Sequence, residues 1–245
     1  MLEPRRNQYL KAMGLTLWQR REVPRVGKTE AAATAVKHAA PVGAAEDRVQ
    51  SECLGEASPV SNETANEQLD WQALRQSVKE CQACGLRAGC RQTVFGVGDT
   101  QADLLVIGEA PGADEDRQGE PFVGRAGQLL NEMLLAMGYR REAVFIANIV
   151  KCRPPDNRDP KPEEALHCEP HLLRQIELIR PKVILAVGRI AAQNLLKSDI
   201  AVGKLRGRMH SFGEAAIPLV VTYHPAYLLR SPEQKGKAWQ DLQLA

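Results

Sequence analysis

The sequence is poor in aromatic residues and has no long apolar run, and each absence excludes a class of protein. Phe, Trp and Tyr together make up 4% of the 245 residues. No apolar run approaches the about 20 residues that a helix needs to cross a bilayer. The first residues do not show the charged region followed by an apolar stretch that is typical of a secretory signal. We therefore expect a cytoplasmic protein without a membrane span.

Aromatic residues are absent from residues 19–70. None lies between Trp18 and Trp71, where Ala, Glu, Ser, Thr and Pro dominate. A segment with so few large apolar side chains cannot bury enough surface to offset the entropy lost on ordering. We predict a disordered tail over residues 1–69 and one folded domain over residues 70–245.

One segment of the tail, residues 7–21, has apolar residues at helical spacing. They are Leu10, Met13, Leu17 and Trp18. The pattern fits a short helix that binds a partner protein, and it fits equally a terminal helix that frays or docks on its own domain.

An excess of charge of one sign is also lacking. Lys and Arg number 32 against 30 Asp and Glu, for a net charge of +2, so the overall charge argues neither for nor against nucleic acid. Any such case must rest on local clustering. The clearest cluster lies in residues 204–210, where Lys204, Arg206, Arg208 and His210 occur with no intervening acid.

Cysteine is present in a pattern that suggests metal. Six occur, at positions 53, 81, 84, 90, 152 and 168. Disulfides are rare in the cytosol, so metal binding is the better explanation. Cys81 and Cys84 form a tight pair, and fifteen residues separate Cys152 from Cys168. Four thiolates suit tetrahedral zinc or an iron–sulfur cluster, and the spacing leaves both open. Cys90 is close enough to compete, whereas Cys53 lies in the tail.

The folded part alternates apolar runs with amphipathic segments. Strands are predicted at residues 104–108, 143–150, 182–188 and 218–222, helices at 71–79, 126–137, 163–179 and 190–196, and a turn at 95–99. Such alternation indicates a parallel sheet covered by helices on both faces. We predict a three-layer αβα sandwich around a central four-stranded parallel sheet.

Polar side chains stand at three of the predicted strand ends. Glu109, Asn148 and His224 each follow an apolar run, and the carboxyl ends of parallel strands meet at the edge of the sheet where ligands bind. Asn148 fits either a buried amide with structural partners or one that recognises the hydrogen-bonding edge of a ligand. The segment after His224, with sequence YLLR over residues 227–230, fits either an apolar wedge for a DNA base stack or the start of the last helix.

Four motifs occur in an order that is specific to one family. They are GEAPG at residues 108–112, GEPFVGRAGQLL at 119–130, NIVKCRPPDNRDP at 148–160 and HPAYLLR at 224–230. From about residue 71 to the end, the chain resembles the family 4, iron–sulfur type uracil-DNA glycosylases of bacteria and archaea. The tail has no counterpart in the compact members of that family.

The resemblance implies a monomeric DNA repair enzyme that acts at the nucleoid. It would flip uracil out of single- or double-stranded DNA and hydrolyse the N-glycosidic bond without lyase activity, leaving an abasic site. It further implies that a structural 4Fe-4S cluster is held by four cysteines. These are Cys81, Cys84, Cys152 and Cys168.

The same resemblance assigns roles around the base. Phe122 would stack on uracil, Asn148 would bind its Watson–Crick edge, and His224 would face its O2. Glu109 and Glu115 are the candidate catalytic carboxylates, and Glu109 and Ala110 would also line the base pocket. Glycosylases with a GQDPYH motif have Asp at the position of Ala110. They have a Tyr that blocks thymine at the position of Gly112, so thymine exclusion must come from another residue here, for which Glu115 is a candidate.

DNA contacts are implied at two places. The apolar wedge would comprise Tyr227, Leu228, Leu229 and Arg230. Phosphates would be bound by Lys204, Arg206, Arg208 and Arg230, with Lys151 and Arg153 near the cluster.

Three competing functions fit the sequence less well. A catalytically silent iron–sulfur DNA-binding module would not need Glu109, Asn148 and His224 together. A relative that bonds covalently to the abasic sugar would carry a His in a basic insertion, which residues 152–160 lack. A mononucleotide enzyme that used GEAPG as a phosphate loop would be expected to show a GxGxxG or GK[ST] pattern, and neither is present.

Overall fold

The computed structural model of the protein describes residues 68–245. Almost all of the predicted tail, including the predicted helix over residues 7–21 and Cys53, lies outside the described residues, and those expectations stay predictions. Within residues 68–245, no helix has the length and apolarity needed to cross a membrane.

A six-stranded mixed sheet forms the centre of the domain. Its strands are β1 (Val97–Gly98), β2 (Leu104–Gly108), β3 (Phe145–Asn148), β4 (Val183–Val187), β5 (Met209–Phe212) and β6 (Ile217–Thr222). The spatial order is β1-β3-β2-β4-β6-β5, with the four inner strands parallel and the two edge strands antiparallel. The predicted four-stranded parallel centre is confirmed.

The two edge strands were missed by the sequence prediction. Strand β1 is only two residues long and lies within the predicted turn, and β5 has no buried residue, so neither shows the continuous apolar run of a central strand. The sheet is therefore wider than predicted, and its added strands are antiparallel.

Helices cover both faces of the sheet. They are α1 (Trp71–Glu80), α2 (Leu86–Gly89), α3 (Ala113–Gln118), α4 (Arg125–Met137), α5 (Pro162–Ile179), α6 (Arg189–Leu196), α7 (Val202–Leu205), α8 (Pro225–Arg230) and α9 (Lys235–Leu242). Short 3-10 turns lie at Arg141–Ala143, Pro155–Asn157 and Pro232–Gln234. Helices α1, α5 and α6 pack on one face and α4, α8 and α9 on the other, which confirms the three-layer sandwich.

The central strands explain why their sequences are apolar throughout. Every residue of β2 is buried, with Leu105 and Ile107 in the core on one face and Leu104 and Val106 in the core on the other. Burying such a side chain stabilises the fold by about 1.5–3 kcal/mol. Because both faces are covered, the strand shows no polar alternation.

The topology places the site. Strand β3 lies on one side of β2 and β4 on the other, so the chain changes direction across the sheet between β3 and β4. Gly108 pairs with Asn148 in this register, and Val187 pairs with Thr222. The ends of β2, β3, β4 and β6 therefore meet at one edge, where α/β sheets bind ligands.

Candidate active site and cysteine cavity

A cleft opens at the carboxyl edge of the sheet and brings together most of the predicted pocket residues. Its lining includes Glu109, Ala110, Glu115, Phe122, His224, Tyr227 and Arg230. It also includes Asp159 and Arg189, which were not predicted. The loops after β2, β3, β4 and β6 all contribute residues to the cleft, because these four strands end at the same edge of the sheet.

Phe122 is held in an unusual backbone conformation. Its φ is 54°, in the left-handed region that non-glycine residues seldom adopt, and its side chain is buried. A Cβ on Gly127 would come within 1.8 Å of the Phe122 carbonyl oxygen, so the start of α4 can approach this loop only with glycine there. The guanidinium of Arg141, also not predicted, donates to the carbonyl oxygens of Phe122 at 3.3 Å and Pro121 at 2.6 Å.

Glu115 uses its carboxylate to join two loops. One oxygen accepts the main-chain N–H of Gly112 at 3.1 Å, and the other accepts those of Val123 at 3.0 Å and Gly124 at 3.2 Å. The sequence made Glu115 a candidate catalytic carboxylate. The three hydrogen bonds give Glu115 a structural task, because they hold the Gly112 loop and the start of α4 together. Its catalytic role stays a prediction.

Glu109 is the carboxylate that is suited to proton transfer. Burial, the charge of Asp159 and a hydrogen bond with Asp159 raise the pKa of Glu109 to about 7, against the opposing charge of Arg189. Asp159 is itself ion-paired with Arg189 at the start of α6. A carboxyl group with a pKa near neutrality can take up and release a proton under working conditions.

Asn148 does not line the cleft; it lies buried at the end of β3, beside the ring of Phe122, which does line it. It is 2% exposed, and a Cβ on Gly108 would meet its Oδ1 at 2.5 Å and the Phe122 ring at 2.6 Å. Its Oδ1 has no hydrogen-bond partner, one of three such buried side-chain atoms in residues 68–245. A buried acceptor without a partner costs about 1–3 kcal/mol, so this oxygen is a candidate for contact with a ligand donor.

His224 has a defined proton arrangement. It caps α8, and its Nδ1 accepts the main-chain N–H of Ala226 at 3.1 Å. Burial and then the nearby charge of Arg230 lower the pKa of His224 to about 4, with Glu115 acting in the opposite direction. The imidazole is therefore neutral near pH 7, and its proton must be on Nε2, which makes Nε2 a hydrogen-bond donor.

The predicted apolar wedge is only partly available. Leu228 is fully buried in the core beneath α8, because the helical period turns it toward α4, and its assignment to the wedge is wrong. Leu229 is 37% exposed, and Tyr227 and Arg230 line the cleft. The helical interpretation of this segment is thus correct, and its outward face still presents an aromatic, an apolar and a basic side chain.

Two of the predicted phosphate contacts are also corrected. Arg206 forms an ion pair with the buried Asp241, with Nη2 2.8 Å from Oδ1, and its guanidinium lies 5.5 Å from the centre of the Tyr223 ring. Lys151 is buried at 2% exposure, because its amine bonds to interior acceptors. Lys204, Arg208 and Arg230 are exposed, as a phosphate contact requires, and Arg153 is half-buried with Nε bonded to Asn157 at 2.8 Å.

A second cavity collects the four cysteines that the resemblance implies. Cys81, Cys84, Cys152 and Cys168 all line it, together with His167 and His171. Cys81 ends α1, Cys152 follows β3 and Cys168 lies on α5, so the cavity joins the start of the domain to its middle. Cys90 does not line this cavity, although it is hydrogen-bonded to Cys152.

Burial favours the protonated form of three of these four thiols. Burial raises the pKa of Cys168 to about 11, against the charge of Lys151 and a main-chain hydrogen bond from Lys151, and burial also raises the pKa of Cys84 and Cys152. Metal binding at such a site must displace these protons. The His, Cys, Asp and Glu side chains of residues 68–245 form no group of three or more arranged for a single ion. The donor set of four cysteines on one cavity fits an iron–sulfur cluster in number and kind.

Comparison with known proteins agrees with this architecture. A model of the uracil DNA glycosylase superfamily matches residues 95–243, and the chain belongs to this superfamily. Within it, the chain is 41% identical to the type-4 uracil-DNA glycosylase of Pyrobaculum aerophilum, over 71% of this chain and 92% of the relative. It is 43% identical to the type-4 protein of Archaeoglobus fulgidus, over 67% of this chain and 85% of the relative. It is 46% identical to the type-4 protein of Thermotoga maritima, over 63% of this chain and 80% of the relative. These identities place it among the type-4 members.

Proposed function

We propose that this protein removes uracil from single- and double-stranded DNA in base excision repair. It hydrolyses the bond between N1 of the base and C1′ of the sugar, leaves an abasic site and has no lyase activity. The observation that carries the proposal is the unpaired Oδ1 of the buried Asn148 beside Phe122, whose ring in turn lies next to that of the neutral His224. The type-4 relatives, which are named uracil-DNA glycosylases, support it.

The amide of Asn148 is complementary to uracil. Its Oδ1 accepts the N3–H of the base while its amide nitrogen donates to O4. Cytosine presents the reverse pattern at these two positions and would leave buried groups unpaired, at about 1–3 kcal/mol each. Phe122, whose ring centre lies 5.6 Å from that of His224, stacks on the flipped base.

His224 stabilises the departing base. As the bond to C1′ lengthens, negative charge gathers on the uracil and its O2. A neutral imidazole with its proton on Nε2 donates to that oxygen, an effect of the kind worth about 3–4 kcal/mol when such a donor is removed. The hydrogen bond to Ala226 fixes the ring and its tautomer for this task.

Glu109 acts on the sugar side. In its carboxylate form it stabilises positive charge at C1′ and orients the attacking water. Ala110 offers no carboxylate, so Glu109 is the acidic group of this loop that remains for the role. Asp159 and Arg189 tune its protonation.

The surroundings of the cleft serve DNA binding. Lys204, Arg208 and Arg230 contact phosphates, and Tyr227 and Leu229 enter the base stack where uracil leaves it. Flipping costs a few kcal/mol, which these contacts offset. We further propose that the protein acts as a monomer in the cytoplasm, at the nucleoid.

The four cysteines of the second cavity hold a 4Fe-4S cluster. Through these residues a bound cluster would supply a structural link between the end of α1, the segment after β3 and α5. Cys81, Cys84, Cys152 and Cys168 supply its thiolates, and the main-chain N–H of Lys151 donates to the Cys168 sulfur at 3.3 Å.

One assay tests the proposed activity. Purified protein is incubated with labelled oligonucleotides that contain uracil, cytosine or a mismatched thymine, in single and double strands, and abasic sites are then cleaved with alkali. We expect strand breaks at uracil and none at cytosine. Absence of uracil-dependent breaks with the iron-loaded protein would reject the proposal.

A further inference from the structure

Lys151 carries a buried amine and lines the cysteine cavity. It follows β3 by three residues and precedes Cys152, and it is 2% exposed. An amine without partners in such a place would be strongly destabilising, so its contacts indicate what it holds. Its Nζ donates to the main-chain carbonyl oxygen of Asn148 at 2.9 Å and to Oε1 of Gln175 at 2.7 Å.

Gln175 extends this contact across the domain. It is fully buried on α5, and its amide nitrogen donates to the carbonyl oxygen of Phe95 at 2.9 Å. Because Lys151 occupies Oε1 as a donor and Phe95 occupies the nitrogen as an acceptor, the amide has one consistent orientation. Gln175 therefore holds the Lys151 amine in place while that amine also binds Asn148.

The main chain of Lys151 reaches the cysteine cavity. Its N–H donates to Sγ of Cys168 at 3.3 Å, and its carbonyl oxygen accepts the N–H of Val94 at 2.7 Å. One residue therefore bonds a candidate cluster ligand through its main chain and Asn148 through its side chain. Hydrogen bonds therefore connect the cysteine cavity to Asn148.

Asn148 receives the Lys151 hydrogen bond at the point where β3 ends. It is the last residue of β3, and the hydrogen bonds that continue the strand pairing come from its successors, Ile149 to the Gly108 oxygen at 2.9 Å and Val150 to the Glu109 oxygen at 3.2 Å. The direction of the side-chain amide depends on the peptide planes around its Cα. By restraining the peptide plane of Asn148, the Lys151 hydrogen bond restrains the backbone from which the side-chain amide projects.

We propose that Lys151 is a positioning residue, which holds Asn148 in the orientation that recognises uracil and links it to the cysteine site. This inference rests on the proposed function, since it concerns how the same pocket selects its base. It predicts that Lys151 acts through Asn148 rather than through general stability.

The test is a double-mutant cycle with Lys151→Met and Asn148→Ala. Methionine has similar length and no charge, so it fills the space without leaving a buried ion. We expect Lys151→Met to lower single-turnover uracil release about tenfold in the wild-type background and less than about twofold in the Asn148→Ala background. Binding of uracil-free DNA and iron content should stay at wild-type levels.

Two further variants keep the test decisive. Lys182→Met changes an exposed lysine at the opposite edge of the sheet, ion-paired with Asp103, and should leave the rate unchanged. If Lys151→Met loses iron or does not fold, Gln175→Leu takes its place, because it removes the second acceptor of Lys151. Gln175→Leu should show the same non-additivity with Asn148→Ala, with a smaller loss of rate.

The outcomes separate this inference from the proposed function. A wild-type protein without uracil release would reject the function itself. A wild-type protein that releases uracil, together with an equal loss from Lys151→Met in both backgrounds or no loss in either, would overturn the role of Lys151.

Discussion

Nδ1 of His224 accepts the main-chain N–H of Ala226 at 3.1 Å, which leaves the imidazole proton on Nε2. The ring is therefore a donor before any substrate arrives. This relationship favours one of the two tasks that a histidine could perform here. A general base would need a free nitrogen lone pair directed at water, whereas an Nε2 donor is suited to the oxygen of a departing base.

Replacing His224 should slow departure of the base. We expect His224→Ala to lose on the order of a hundredfold or more in single-turnover rate on uracil, with little change in DNA affinity. A substrate with a better leaving base, such as 5-fluorouracil, should recover a large part of the loss because its anion needs less help. Equal losses on both bases, or a loss confined to binding, would contradict this role.

The rate should follow the protonation of Glu109. Since the pKa of Glu109 is raised to about 7, its carboxylate is present above that pH and is lost as the pH falls through it. We expect single-turnover excision to rise with pH through about 7 and then level off. His224, with its pKa lowered to about 4, titrates below this range. It therefore does not cause this rise of the rate with pH, which we call the acid limb.

Asp159 provides the control for that limb. Asp159→Asn removes a like charge and a carboxyl partner from Glu109, so the acid limb of the pH–rate profile should move to lower pH. Glu109→Gln should flatten the acid limb and lower the rate on the plateau. An unchanged limb in Glu109→Gln would assign the titration to another group.

Base selectivity should depend on the donor pattern of Asn148. Asn148→Asp removes the amide donor to uracil O4, so we expect a lower rate on uracil and weaker discrimination against cytosine. The measurement is the ratio of single-turnover rates on matched uracil and cytosine oligonucleotides. Wild-type kinetics on both would show that the base pocket lies elsewhere.

The metal content should depend on some cysteines and not on others. We expect the purified protein to be brown, with broad absorption near ~400 nm and iron rather than zinc. Cys152→Ala should abolish both signals, because Cys152 lines the four-cysteine cavity, whereas Cys90→Ala should retain them. Stoichiometric zinc without iron in anaerobically prepared protein would exclude the cluster.

The tail should be dispensable for activity on short DNA. A chain that begins at residue 68 keeps the Leu69 carbonyl that accepts from Arg174 at 2.8 Å and the Asp70 side chain that caps α1 at 2.8 Å. We expect its excision rate and iron content to match those of the full chain. Loss of either would show that the domain begins earlier than predicted.

Much of the fold follows from local patterns that tertiary structure cannot easily override. The runs at β2 and β4 are buried on both faces, so their apolar character is continuous and visible in the sequence. Long amphipathic helices were placed within one residue, as at Arg125–Met137, where Gly138 ends the helix with φ 95°. The polar residues at strand ends, Glu109, Asn148 and His224, were found because parallel strands bring their ends to one edge.

Tertiary structure alone decided which charged and apolar side chains are available. Nothing local distinguishes Arg206, paired with the distant Asp241, from the exposed Arg208, or buried Lys151 from a surface lysine. The same holds for Asp159, which meets Glu109 only when the loop after β3 folds beside the start of α6. The sequence by itself determined the strand and helix pattern, the site edge and the motifs, because these depend on residue periodicity. Which side chains pair, face the core or face DNA depends on contacts between segments far apart in the chain, and periodicity carries no information on those.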